Sequence, residues 1–148
     1  MNIFENCYST GNISGNYRIG GVVGYNIPNI QRFVNAIALN QSIVATDNTT
    51  DIGRVVGYNE TFGILTNNYA RSSGMTLETG LGPYTPPDTV NADNNKDGAN
   101  VDAGTGPSQY YSQDFWENTM GWSFSGLDPV WEMGPGPNPL PKLIGVGP

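Results

Sequence analysis

The phrase Ile19-Gly20-Gly21-Val22-Val23-Gly24-Tyr25-Asn26 returns as Ile52-Gly53-Arg54-Val55-Val56-Gly57-Tyr58-Asn59, seven of eight letters unchanged and 33 residues later. A second phrase accompanies it. Ile3-Phe4-Glu5-Asn6-Cys7-Tyr8-Ser9 precedes the first copy, and Ile64-Leu65-Thr66-Asn67-Asn68-Tyr69-Ala70 follows the second. Residues 30–38, from Ile30 through Phe33 and Asn35 to Ala38, fill the same slot more loosely. A fixed period of this size marks stacked units, each burying apolar side chains on its neighbours.

The glycines say what kind of unit. Three of them between Ile19 and Gly24 disfavour helix by roughly 1 kcal/mol each relative to alanine, whereas the β-branched Ile19, Val22 and Val23 suit strand. Polar turn formers such as Ser9-Thr10-Gly11-Asn12 and residues 46–51 arrive at short intervals and keep the strands short. At a rise of about 3.3 Å per residue, the period holds about three strands and three corners. The expected fold is therefore all-β, a parallel β-helix-like β-solenoid with about three short strands per ~33-residue coil. Residues 1–76 read as coils, 77–107 as a Pro/Gly/Asp-rich excursion and 108–148 as an aromatic C-terminal cap.

One letter tests which way side chains face. Arg54 stands where Gly21 stood, and a charged side chain is rarely buried without a partner. Strict alternation would turn Gly53, Val55 and Gly57 inward and leave Ile52, Val56 and Tyr58 outside with Arg54. A bulge at Gly53 would instead let Ile52 turn in, and the apolar character of both Ile19 and Ile52 favours the bulge. Asn6, Asn35 and Asn67 recur in the second phrase, and Asn26 and Asn59 close the first. Asparagine tolerates left-handed corners, and its amide can bond the amide one layer away, so these read as corner and ladder residues. The acceptor sequons at Asn12, Asn40, Asn48 and Asn59 arise readily in so Asn-, Ser- and Thr-rich a chain.

These phrases, with Asn6-Cys7-Tyr8-Ser9-Thr10-Gly11 at their centre, resemble the GLUG repeat, whose usual wording is similar to I-GGLVGxN followed by I-xNCYSTGxV. The resemblance covers about half of the chain, residues 3–76. The middle unit departs from it, with Asn35-Ala36-Ile37-Ala38-Leu39-Asn40 in place of the NCYSTG wording, which leaves its turn geometry open. A weaker likeness to the segment that closes such arrays lies in Phe115-Trp116, Gly121-Trp122-Ser123-Phe124, Val130-Trp131 and residues 139–143. The resemblance implies a piece of a bacterial surface or secreted protein, adhesin-like or accompanying an IgA-cleaving metallopeptidase. It also implies an extracellular or cell-surface location.

Composition narrows the function. The six cations, Arg18, Arg32, Arg54, Arg71, Lys96 and Lys142, lie far apart in a chain of net charge −7, so a nucleic-acid partner is not expected. No run of 18 apolar residues exists to insert into a membrane. No charged-then-apolar leader stands at the front, and the chain opens inside a repeat phrase, so further repeat units are expected N-terminal to it. Cys7, the single cysteine, reads as a small buried residue. With no histidine, HExxH zinc sites, Ser-His-Asp triads and Cys-His pairs are all excluded, and any metallopeptidase activity must reside elsewhere. A carboxylate pair of the glycosidase kind remains conceivable, with Asp47 and Asp51 or Glu117 and Glu132 as arbitrary choices.

Two features offer ligand chemistry. Asp93-Asn94-Asn95-Lys96-Asp97-Gly98 matches the first half of a calcium loop, where Asp93, Asn95 and Asp97 would be ligands, joined by Asp102. Its second half fails, because Gly104 stands where a bidentate glutamate belongs. A solvated polar turn is the competing reading, and no other cofactor is expected. Trp116, Trp122 and Trp131 suit either burial in a cap or stacking on sugar rings. Around them, residues 112–118 read as one or two helical turns with Ser112 as the N-terminal cap and Gly121 as the stop. Residues 122–124, 130–133 and 139–144 read as strands.

The expected function is a non-enzymatic structural or adhesive module whose loops meet a host or cell-surface protein or glycan. The alternatives are a carbohydrate- or calcium-dependent binding module and, behind it, a β-helical glycan hydrolase or lyase.

Overall fold

Short apolar phrases cut by glycine and asparagine make short strands, and the strands find partners one period away. The computed structural model describes residues 2–27, 31–60, 63–86, 93–101 and 108–146. The chain divides into two units, residues 1–101 and 102–148.

In the first unit the chain runs β1 (Asn2–Ser9), β2 (Ile13–Gly15), β3 (Ile19–Gly20), β4 (Val23–Asn26), then β5 (Gln31–Ala38), β6 (Ser42–Ala45), β7 (Ile52–Gly53) and β8 (Val56–Asn59). It continues with β9 (Ile64–Thr66), β10 (Tyr69–Arg71), β11 (Thr76–Thr79), β12 (Gly82–Pro83) and β13 (Ala99–Val101). The first eight strands pair in order and in parallel, β1 with β5, β2 with β6, β3 with β7 and β4 with β8. The two copies of the glycine phrase lie in register, Ile19 on Ile52, Val23 on Val56, Tyr25 on Tyr58 and Asn26 on Asn59. The β9 and β10 strands follow on β5, and β11 on β6.

The core lies between these sheets. One cluster joins Phe33, Ala36, Ala38, Val55, Val56, Leu65 and Ala70, and a second joins Ile43, Ala45, Ile52 and Leu77. Each large side chain taken out of water here contributes about 1.5–3 kcal/mol.

The glycines of the repeated phrase answer to space rather than to positive φ. A Cβ on Gly57 would stand 2.5 Å from Gly24 O, and one on Gly20 would overlap Val23 O and Gly57 N. Backbone thus packs on backbone where the chain turns.

Strict alternation fails at this turn. Val22 N–H and Val23 N–H both donate to Val55 O, at 3.0 and 3.1 Å, which is bulge geometry. The doubled donors fall at Val22–Val23 and Val55–Val56, past the expected bulge position at Gly53, and Ile52 is fully buried. Arg54 does not point to solvent, however. It is 4 % exposed, because partners 43 to 46 residues further on satisfy it.

Those partners correct the boundary placed at residue 76. Val55 N–H and Val56 N–H both donate to Lys96 O, Ala99 N–H donates to Asn68 O, and β13 lies parallel on β10. Part of the proline-rich stretch therefore packs as another layer of the first unit. The β12 strand folds back antiparallel on β11, and Pro83 there blunts the edge.

In the second unit, Gln109–Tyr111 form a 3-10 turn and Phe115–Thr119 a wide π-helical turn closed by Met120 N–H to Phe115 O. Gln113 and Asp114 are already helical, so Ser112, extended at φ −105° and ψ 133°, stands at the expected N-terminal cap position, and Asp114 makes no side-chain capping bond. Gly121, at φ 72°, ends it as expected. Residues 122–124 are not a strand, although Ser123 O accepts from Val130 N–H and Trp131 N–H. The β14 (Trp131–Met133) and β15 (Pro141–Leu143) strands pair antiparallel, with Lys142 on Glu132 at 3.0 Å across the pair. Among the described residues no helix is long and apolar enough to cross a membrane.

Candidate functional site

The repeated tyrosines build the most chemically varied surface of the first unit. Register places Tyr25 on Tyr58, with ring centroids 5.6 Å apart. Arg18, held at φ 55°, sets its guanidinium 4.1 Å from the Tyr25 centroid and 5.1 Å from that of Tyr58. Its Nε stands 3.7 Å from Asp51. The Tyr25 hydroxyl donates a short hydrogen bond to Glu60, which raises its pKa above the ordinary phenol value, with burial and the Glu60 charge adding to the rise.

Beside Tyr58 opens a groove of about 720 Å³, bordered among others by Asp51, Tyr84, Thr85, Asn94 and Lys96. The Lys96 ammonium donates to Thr50 O and Ile52 O and stands 5.6 Å from the Tyr84 ring centroid. Two phenol rings, a carboxylate, an ammonium and side-chain amides thus share one recess. That inventory suits hydrogen bonding and ring stacking on a polar ligand. Asp51 is its single acid among the described lining residues, whereas a glycosidase needs two carboxyl groups across the scissile bond.

Of the residues assigned to calcium, Asn95 and Asp97 accept backbone hydrogen bonds through their side chains. Asn95 Oδ1 accepts from Asp97 N–H at 2.8 Å and Gly98 N–H at 3.0 Å, closing a turn on itself. Asp97 Oδ1 accepts from Arg54 N–H at 3.0 Å, and the side chain is 2 % exposed. Burial pushes the Asp97 carboxyl above its usual range, opposed by the Arg54 N–H bond and by the Lys96 and Arg54 charges. Asp93 lends its backbone carbonyl to Asn68 N–H. Asp102 lies outside the described residues. Among the described residues no three His, Cys, Asp or Glu side chains converge.

The tryptophans are drawn together inside the second unit. Trp116 is fully buried and Trp122 is 2 % exposed, with ring centroids 4.7 Å apart, and Trp122 to Trp131 measures 4.4 Å. Trp116 Nε1–H donates to Tyr110 O at 2.7 Å. Trp131 alone of the three is half-exposed.

Three of the four carboxylates singled out as arbitrary pairs are also engaged. Asp51 faces Arg18, Glu117 accepts from Gln113, and Glu132 holds Lys142. Cys7 is half-buried, and burial raises its thiol pKa to about 11.

No protein-family model, curated protein or solved structure matches the chain. Its chemistry is therefore read from its own residues.

Of these features, sequence reasoning missed the groove. Its signal was present in the repeated Tyr25 and Tyr58, but Tyr84 and Lys96 lie outside the repeat. The buried asparagines belong to the scaffold. Asn40 Nδ2 donates to Ser9 Oγ and Gly11 O, so this sequon is closed to a glycan in the folded chain, while Asn12 and Asn48 are exposed.

Proposed function

We propose that the first unit is a short β-solenoid of the GLUG kind and that the chain is a non-enzymatic structural or adhesive module of a bacterial surface or secreted protein. The observation that carries this reading is the 33-residue echo lying on itself in parallel register, Val23 on Val56 and Asn26 on Asn59. A repeat whose letters coincide in space builds a scaffold by addition, and its turns hold side chains outward at fixed spacing. The work done is mechanical and interfacial, with a host or cell-surface protein or glycan as the partner.

The groove beside Tyr58 favours a glycan over a protein as that partner. Phenol faces pack on the apolar faces of sugar rings, and Asp51, Asn94 and Lys96 supply hydrogen-bonding groups.

The test is a glycan array together with binding to cultured cells, using the whole chain and its Tyr58→Ala and Tyr84→Ala variants with unchanged thermal melts. Retention of a glycan that both variants lose supports the reading. Shortening of a polysaccharide substrate by the wild-type chain overturns it.

A further inference from the structure

We propose that the free edge of β1 is a docking edge for one more parallel strand of its own kind, a copy of the residue 2–9 phrase bringing an asparagine opposite Asn6. The inference rests on the stacked-coil reading above and adds a partner to it.

A row of side-chain amides gives the edge a direction. Asn67 Nδ2 donates to Asn35 Oδ1 at 2.9 Å, and Asn35 Nδ2 donates to Asn6 Oδ1 at 3.1 Å. At each step the later strand donates and the earlier one accepts. Asn6 is the last acceptor in the row, and among the described residues no acceptor meets its own Nδ2. All three residues share one left-handed conformation, φ 55°, 54° and 53°. An incoming strand with an asparagine in that conformation would present Oδ1 to Asn6 as Asn6 presents it to Asn35.

A column of apolar side chains is unfinished at the same end. Phe4 lies on Phe33 and Phe33 on Leu65. Phe33, with strands on both sides, is 3 % exposed and Leu65 is 6 %, but Phe4 is 53 % exposed and Ile3 beside it is 50 %. The backbone agrees, since β1 ends its sheet and pairs only with β5 among the described strands. Lysine, proline and bulges are the usual guards of such an edge. The β1 strand has no lysine or proline, and Glu5 is its one charge. The β1–β5 pairing itself, seven residue pairs in parallel, is the template for the occupant.

The experiment uses the full 148-residue chain and a synthetic peptide of residues 2–11 with Cys7→Ser, at about 1 mM. Hydrogen exchange is followed amide by amide. The peptide is expected to slow exchange along β1 and leave β13 unchanged, and an Asn6→Ala peptide is expected to lose the effect. In the protein, Asn6→Asp keeps an acceptor for Asn35 but lacks the outward N–H. It should preserve β5 protection while weakening peptide binding about five- to tenfold. Unchanged β1 exchange with β5 still protected overturns the docking edge and leaves the coil reading standing. An unprotected β5 in the free chain overturns the coil reading and the docking edge with it. Self-association of the chain through β1, with the peptide failing to compete, overturns the proposed occupant.

Discussion

Arg54 and Asp97 hold each other through their backbones: the Arg54 N–H donates to Asp97 Oδ1, and Arg54 Nε–H donates to the Asp97 carbonyl, both at 3.0 Å. The rest of the guanidinium is spent nearby, Nη2 on Gly98 O and Nη1 on Asn100 Oδ1, each at 2.7 Å. One side chain thus pins residues 97–100 onto the second copy of the glycine phrase.

Removing that pin should be costly. Arg54→Ala keeps the backbone N–H to the Asp97 carboxylate but leaves the Asp97 and Gly98 carbonyls and Asn100 Oδ1 without their donor, a loss of about 1–3 kcal/mol for each acceptor left unpaired. Arg54→Lys cannot reproduce the planar fork and should recover only part of it. Arg54→Gly restores the letter of the first copy and should still be destabilising. Urea denaturation of the three variants checks the order.

The asparagine row separates backbone from side chain. Asn35→Ala places a Cβ-bearing residue at φ 54° and breaks the bonds to Asn6 and Asn67. Asn35→Gly breaks the same bonds but relieves the conformation. Glycine should therefore be better tolerated than alanine by about 1–2 kcal/mol, with the remaining cost set by lost hydrogen bonds at about 0.5–1.5 kcal/mol each. Thermal melts of both variants give the two contributions.

The Cys7 thiol should be slow. A folded value of about 11 against the ordinary 9.0 lowers its thiolate fraction at pH 8 about a hundredfold. Alkylation by iodoacetamide in native buffer should lag that in urea by about this factor. Because the folded pKa is raised, the thiol's contribution to stability is complete below 9.0 and is lost as pH climbs towards 11.

Tyr25 should titrate late for a different reason. Its hydroxyl donates to Glu60, and an ionised phenol cannot, so the folded pKa is raised above 10.0. The contribution of this bond is full below 10.0 and disappears as pH rises through the folded value. Absorbance at about 295 nm should show one tyrosine ionising earlier in Glu60→Gln.

Much of the first unit was legible in its letters. Ile19 on Ile52 and Asn26 on Asn59 follow from a 33-residue echo, and Asn6, Asn35 and Asn67 announce left-handed corners by residue type. Arg54 was not legible. Its partner Asp97 stands 43 residues away in a stretch without repeat wording, and a lone arginine carries no mark of which carbonyls will receive it. Asp97 itself was ambiguous in sequence, since the same Asp-x-Asn-x-Asp spacing that wraps a cation also closes a turn and receives a backbone N–H. The tryptophans signalled bulk without saying which face was covered. The groove needed Tyr84 and Lys96 beside Tyr58, a proximity that no local pattern encodes.

The paired amides on a single carbonyl have a wider meaning. Val55 O receives two successive N–H groups from the first copy of the phrase, and Lys96 O receives two from the second, although residues 93–98 spell nothing like the phrase they follow. Shape is inherited here where spelling is not. A count of layers by wording alone misses residues 93–98, which take their place on the second copy without its letters.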